Sequence, residues 1–179
     1  MAGPPGVGAM KQKKQVKKER QMEEWIRKVR LREGFWKQQS DKNREITMRA
    51  VWDRFADTGR IGAFRCDWKE GMGHKPDVYW DSDVAKWMEA AAYLLGKEEI
   101  PWIRERLEWL IDRIEENQEP CGYFNTHFMT VEPGRRFTDQ DAHELYCAGH
   151  LMEAAAAYLE CCGETRFLNA MGRYADYIY

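Results

Sequence analysis

The sequence predicts an all-α protein, and three observations carry that prediction. Apolar residues recur at steps of three and four through five separate stretches, the period of a helix face turned to a core. Glycine, proline or a polar cap residue punctuates the ends of those stretches. No segment reads strongly as a strand; only short pieces near 123–137 are strand candidates. Long links precede the second and fourth helices, and short links precede the third and fifth. That alternation predicts helical hairpins arranged around a centre, with the long loops gathered on one rim.

Residues 1–10 are rich in Gly and Pro and read as disordered. Lys11 to Arg32 is a charged helix candidate with Met22, Trp25, Ile26 and Val29 on one side. Residues 1–33 thus form a basic N-terminal extension, and residues 34–179 form the body. Glu33-Gly34-Phe35-Trp36 interrupts the pattern, and its two aromatic rings are expected to anchor onto the body. The first well-defined helix starts at Ser40, a good N-cap, carries Ile46, Ala50, Val51 and Phe55, and ends at Gly59.

Residues 60–79 hold Gly62, Gly71, Gly73 and Pro76, which rule out a long helix; a loop of this length is often functional. The second helix runs from Trp80 to Leu95. Asp81, Ser82 and Asp83 are its cap candidates, and Val84, Trp87, Met88, Ala91 and Leu95 form its stripe. Gly96 stands where a helix-ending glycine is expected. Pro101 opens the third helix, with Ile103, Leu107, Leu110, Ile111 and Ile114 inward as far as about Asn117. After a second loop, 118–140, the fourth helix covers Ala142 to Gly163. His143, Cys147, His150, Leu151, Ala154 and Tyr158 share one of its faces, and its many small residues invite close packing. The fifth helix starts near Thr165, with Phe167, Leu168, Met171, Ala175 and Ile178 inward.

Composition narrows the function. Hydrophobic residues are 44% of the 179 and charged residues 32%, the balance of a soluble globular chain with no run long enough for a membrane span. The first 15 residues lack the apolar core of a secretory signal, and the five cysteines are an odd number, so a cytoplasmic protein with reduced thiols is expected. The net charge of -2 divides into +7 over residues 1–32 and -9 over the remainder. The basic lead suits nucleic acid or an acidic membrane surface, but no aromatic interleaving accompanies it, so a solvated tail is the simpler reading.

Two motifs resemble metal or redox sites and fall short. His143-Glu144-Leu145-Tyr146-Cys147 begins like the H-E-x-x-H zinc motif, with Cys147 in place of the second histidine. Successive turns of one helix lie about 5.4 Å apart, so His143, Cys147 and His150 do not converge on one ion. Cys161 and Cys162 point about 100° apart on a helix and do not face one pocket. The loops hold better candidates: the carboxylates of Asp81 and Asp83, and Tyr123, Phe124, Asn125, Thr126 and His127. Aromatic faces cover the C–H face of a sugar, and Asp, Asn and His bind its hydroxyls, so this mixture suits carbohydrate.

The stretches VYWDSDVAKWMEAAAY at 78–93, GYFNT at 122–126 and HELYCAGHLMEAAAAY at 143–158 occur in one order and spacing. Together with Phe35-Trp36 and Thr58 to Phe64 they closely resemble the N-terminal part of the beta-L-arabinofuranosidases of glycoside hydrolase family 127. The resemblance implies an (α/α)6 barrel of which this chain supplies the first helices, and retaining hydrolysis of an arabinofuranosyl bond. It implies a cysteine thiolate nucleophile beside a zinc ion held by further cysteines and a glutamate, with another glutamate as acid/base. Those residues belong to segments with no counterpart here. No catalytic residue, metal ligand or cofactor is therefore assigned in this chain, while zinc is expected in the full-length enzyme. His143 matches a histidine lining the sugar site, and Asp81 and Asp83 match the aspartates before the second helix. With Trp80, Tyr123 and Asn125 they form the candidate sugar-binding set. Cys121 departs from the family, which commonly has Asp there.

The resulting expectation is an N-terminal fragment of an arabinofuranosidase that needs the remaining part of the barrel. Alone it would be inert and poorly stable, because stripes such as Val84-Trp87-Met88-Ala91 and Phe167-Met171-Ala175-Ile178 would be incompletely covered. The rival readings are a non-catalytic helical binding module and a nucleic-acid-associated protein using residues 11–32.

Overall fold

The computed structural model describes residues 29–179, and the chain divides into two compact units, Met1–Lys42 and Asn43–Tyr179. In the first unit, helix α1 spans Phe35–Lys42. Ser40 is therefore inside the helix and not its N-cap. Gly34, at φ +90°, makes the turn beforehand, and Gln38 N–H donates to Gly34 O at 3.1 Å to close the first turn. Phe35 and Trp36 begin this helix instead of interrupting the pattern, and their rings meet edge-on at 5.1 Å. The charged helix expected over 11–32 falls mostly outside the described residues, and Val29 to Arg32 are not helical.

The second unit opens with a π turn, Asn43–Thr47, followed by α2 (Met48–Asp57), α3 (Arg60–Ala63) and α4 (Trp80–Leu95). Then come α5 (Pro101–Asn117), α6 (Thr126–Thr130), α7 (Glu144–Cys162) and α8 (Arg166–Ile178). The described residues contain no strand. The strand candidates near 123–137 instead hold α6, because the Asn125 side chain accepts from Phe128 N–H at 2.9 Å and starts a helical turn.

The two hairpins α4–α5 and α7–α8 lie side by side. The most extensive helix contact is α4 on α7, and α5 also meets α8. Small buried residues, among them Ala85 and Ala92 on α4 and Ala148 and Ala155 on α7, allow that close pairing. The stripe of α4 is buried as predicted, as are Ile103, Leu107, Leu110, Ile111 and Ile114 of α5. Each such aliphatic side chain contributes roughly 1.5–3 kcal/mol by leaving water. Trp87 Nε1–H donates to Met48 O at 3.0 Å and ties α4 to α2. Between the hairpins, Arg166 bonds Asp112 at 2.7 Å and Glu115 at 2.6 Å and also pairs with Glu108, which accepts from Tyr158 Oη–H.

Three sequence expectations change here. On α8 the inward residues are Phe167, Ala170, Met171 and Tyr174, whereas Leu168 and Ala175 face out. Tyr174 takes the inward place because its ring packs on Tyr123, with centroids 5.5 Å apart. The stripe Val84-Trp87-Met88-Ala91 and the pair Phe167 and Met171 are covered, so these five helices bury more than was expected of them. Gly96 has an ordinary φ of -66°. It is small for packing, since a Cβ there would lie 2.8 Å from Cys161 Cβ.

Gly163, by contrast, ends α7 in the left-handed region at φ +78°, with open space around it. Gly122 is also left-handed, at φ +96°, and a Cβ there would meet Arg173 O at 2.2 Å. Gly163→Ala should therefore cost about 1 kcal/mol, the conformational penalty alone. Gly122→Ala should cost about 3 kcal/mol, because overpacking against backbone is added. Urea denaturation of both variants measures the difference; equal losses would mean that the approach to Arg173 is not a constraint.

Candidate functional site

The N-terminal turns of α4 and α7 stand next to each other. Tyr79 before α4 and His143 before α7 meet edge-on, with ring centroids 6.4 Å apart. Cys147 Sγ–H donates to Val78 O at 3.3 Å, and Lys86 Nζ donates to Tyr146 Oη at 3.0 Å. Two helices joined start to start run parallel, as the long links predicted, and the loop over 118–143 crosses this shared end.

Two buried carboxylates fasten that loop. Asp81, in the first turn of α4, accepts from Thr126 N–H at 2.8 Å and Thr126 Oγ1–H at 2.6 Å. Glu144, the first residue of α7, accepts from Tyr123 Oη–H at 2.5 Å and Phe137 N–H at 2.5 Å. A carboxylate at either place also gains from the positive end of its helix. Burial pushes the Asp81 carboxyl up to about 6, with the bonds from Thr126 pulling the other way. Burial first, and then the bond to Glu144, push the Tyr123 phenol upward, so it remains a donor. Arg136 lies 4.0 Å above the Tyr123 ring and is held by Glu119 through bonds of 2.8 and 2.6 Å.

The loop is bent to reach these anchors. Phe137 and His143 are left-handed at φ 51° and 60°, conformations that cost roughly 1–3 kcal/mol each for such residues. Beside them a cavity of about 600 Å³ opens, lined by Phe137, Asp139, Asp141, Glu144 and Leu145 among others.

His143 sits just outside α7, as its cap residue, rather than on the helix face with Cys147 and His150. Its left-handed backbone turns it out of that register, and it is exposed. Its ring faces Tyr146 at 5.7 Å, and Tyr146 faces His150 at 4.5 Å. None of Asp81, Ser82 and Asp83 caps α4; Tyr79 holds that position without a side-chain bond. Asp83 instead pairs with Arg60 at 2.9 Å, and the Arg60 guanidinium lies over the Trp80 ring at 5.1 Å. Trp80, Asp81, Tyr123 and Asn125 are buried. The structure thus gathers the six predicted residues at one end of the helix pair and leaves His143 as the exposed one.

Glu144 escaped notice in the sequence except as the second letter of a zinc-like motif. The usable signal was an acidic residue at the first helical position after a long loop. Cys66 and Cys147 are poor zinc ligands. No group of three or more His, Cys, Asp or Glu side chains among the described residues is placed to hold a metal ion. Burial, reinforced by Asp81, pushes the thiols of Cys66 and Cys147 up to about 12, the reverse of the thiolate a zinc ligand must be.

An all-helical layer of hairpins whose helix starts and long loops share one rim is the architecture of a helical toroid wall. The family model for the beta-L-arabinofuranosidase GH127 catalytic domain matches residues 28–179, and the chain belongs to that family. A GH127 beta-L-arabinofuranosidase from Geobacillus stearothermophilus T6 superposes with a TM-score of 0.77 at 39% identity, over 84% of this chain and 25% of that one. A second solved GH127 beta-arabinofuranosidase gives a TM-score of 0.73 at 25% identity, with the same coverage of 84% and 25%. Both are (α/α)6 barrel enzymes, and this chain has the fold of part of such a barrel. A non-reducing end beta-L-arabinofuranosidase of Bifidobacterium longum subsp. longum is 34% identical over 104 residues, 55% of this chain. The chain thus spans 16% of the length of that curated relative and about a quarter of the solved ones.

The anchor at Asp81 has a pH signature. Its folded-state value of about 6 lies above the ordinary 3.8, so the folded protein binds the extra proton between those limits. Asp81 should not weaken the fold below about pH 4; its unfavourable contribution should grow to at most about 3 kcal/mol by pH 6 and stay level above. Asp81→Asn removes this titration. Its stability relative to wild type should therefore rise between pH 4 and 6, read by denaturant melts at each pH. A difference independent of pH would show that the carboxyl is not shifted.

Proposed function

We propose that this chain builds one wall of the sugar site of a retaining beta-L-arabinofuranosidase acting on beta-L-arabinofuranosides. The observation that carries the proposal is the family match over 28–179, which contains the whole rim formed by the starts of α4 and α7. His143 contacts the sugar hydroxyls: it is exposed at the rim, and Tyr79 and Tyr146 flank its ring. Asp81, Tyr123 and Asn125 act one step back, holding the loop that positions His143. Asp83 and Trp80 hold Arg60 at the base of the same rim.

Retaining hydrolysis needs a nucleophile and an acid/base on opposite sides of the scissile bond. No residue of this chain is assigned either role, so the 179 residues alone do not turn over substrate. No helix among the described residues is long and apolar enough to cross a membrane. No two of the described cysteines are joined in a disulfide, which fits a cytoplasmic site of action.

The test is a chimera. Residues 28–179 replace the matching quarter of the Geobacillus relative, and a chromogenic beta-L-arabinofuranoside is the substrate. The chimera should hydrolyse it, and His143→Ala within it should lower turnover at least about a hundredfold while the melting temperature changes little. A folded chimera that hydrolyses nothing, or one indifferent to His143→Ala, would contradict the proposal.

A further inference from the structure

The rim continues down the seam between α4 and α7, where one tyrosine is held in place although it faces solvent. Tyr146 is 47% exposed and lies in the first turn of α7, just after His143. Two imidazoles stand edge-on to its ring, His143 with centroids 5.7 Å apart and His150 at 4.5 Å. Across the seam, Lys86 of α4 reaches its hydroxyl, with Nζ 3.0 Å from Oη. Ring plane and hydroxyl are thus fixed by different neighbours. The chemistry of the two groups sets the direction of that bond. An ammonium has donors and no acceptor, so Tyr146 Oη accepts with a lone pair and keeps its own proton to give. Among the described residues no group takes that proton. The lysine charge also polarises the O–H and strengthens it as a donor. Asp83, one turn earlier on α4, is engaged by Arg60 and does not draw Lys86 away.

Taking the rim as one wall of the sugar site, on which this assignment rests, we propose that Tyr146 is a second sugar-contact residue. It donates its Oη–H to one hydroxyl of the arabinofuranosyl group, and Lys86 is the residue that positions it. The His143 and Tyr146 rings are close enough for one furanosyl group to meet both. A tyrosine free to turn would lose rotamer freedom on binding; this one is already ordered, so its hydrogen bond is formed at less cost. A purely structural tie would bury the phenol or give the lysine a carboxylate, and among the described residues neither is found.

The chimera carrying residues 28–179 provides the test, with a chromogenic beta-L-arabinofuranoside and analogues that each lack one of its sugar hydroxyls. Tyr146→Phe should lower kcat/KM on the parent glycoside about tenfold with the melting temperature unchanged. On the analogue lacking the contacted hydroxyl the same variant should cost nothing further, which a disturbed fold would not produce. Lys86→Met should cause a similar loss, and that loss should vanish once Tyr146 is replaced by Phe. His143→Ala separates this assignment from the reading of the rim. If His143→Ala abolishes turnover while Tyr146→Phe is silent, or costs the same on every analogue, the assignment of Tyr146 is overturned and the rim reading stands. An active chimera indifferent to both substitutions would overturn the two together. Full additivity of Lys86→Met and Tyr146→Phe would remove Lys86 from its positioning role.

Discussion

The rim depends on two carboxylates placed where carboxylates are ordinarily costly. Asp81 and Glu144 are 2% and 3% exposed, and an ionised group so buried is strongly destabilising unless donors surround it. The donors come from the loop: Thr126 to one, Tyr123 and Phe137 to the other. Neither side is satisfied without its partner. The loop's own hydrogen bonds are local turns, such as Gly122 N–H to Glu119 O and Ala142 N–H to Asp139 O, whereas the two carboxylates tie it to the helix starts. Helix starts and loop therefore fold as one unit, and the left-handed Phe137 and His143 are held by that mutual dependence.

Beneath the rim the parallel pairing of α4 and α7 sets the distance between the two carboxylates. Small side chains bring the helices together, and the larger apolar groups of α5 and α8 close the far side. Part of the apolar exposure that remains lies near the start of α7, where Leu145 is 59% and Tyr146 47% exposed beside Phe137 at 43%. Exposure of that kind belongs beside a site, whereas the stripes on α4 and α8 are core.

Much of this was legible in the sequence. The limits of α4 and α5 follow from the 3.6-residue period, from Pro101 and from the polar run ahead of Val84, because helix burial writes that period directly into residue order. The pairing of helix starts followed from link lengths. Residues whose roles depend on distant partners were not legible. Asp81 reads as a cap by position, yet its partner is Thr126, 45 residues away. Glu144 reads as a motif letter, yet it joins Tyr123 to Phe137. His143 reads as part of a helix face, since nothing in residue order announces a left-handed backbone at a histidine. The phase of α8 slipped for the same reason, because Tyr174 turns inward to meet Tyr123.

Native-state hydrogen exchange of two amides tests the account most directly. Thr126 and Phe137 donate their N–H groups to Asp81 and Glu144 from the long link between α5 and α7. If the carboxylates hold the loop, both amides should exchange with opening free energies close to those of the α4 and α7 interiors, and Asp81→Asn should accelerate Thr126 before Phe137. Exchange of both amides at free-loop rates while the two helices stay protected would contradict the account.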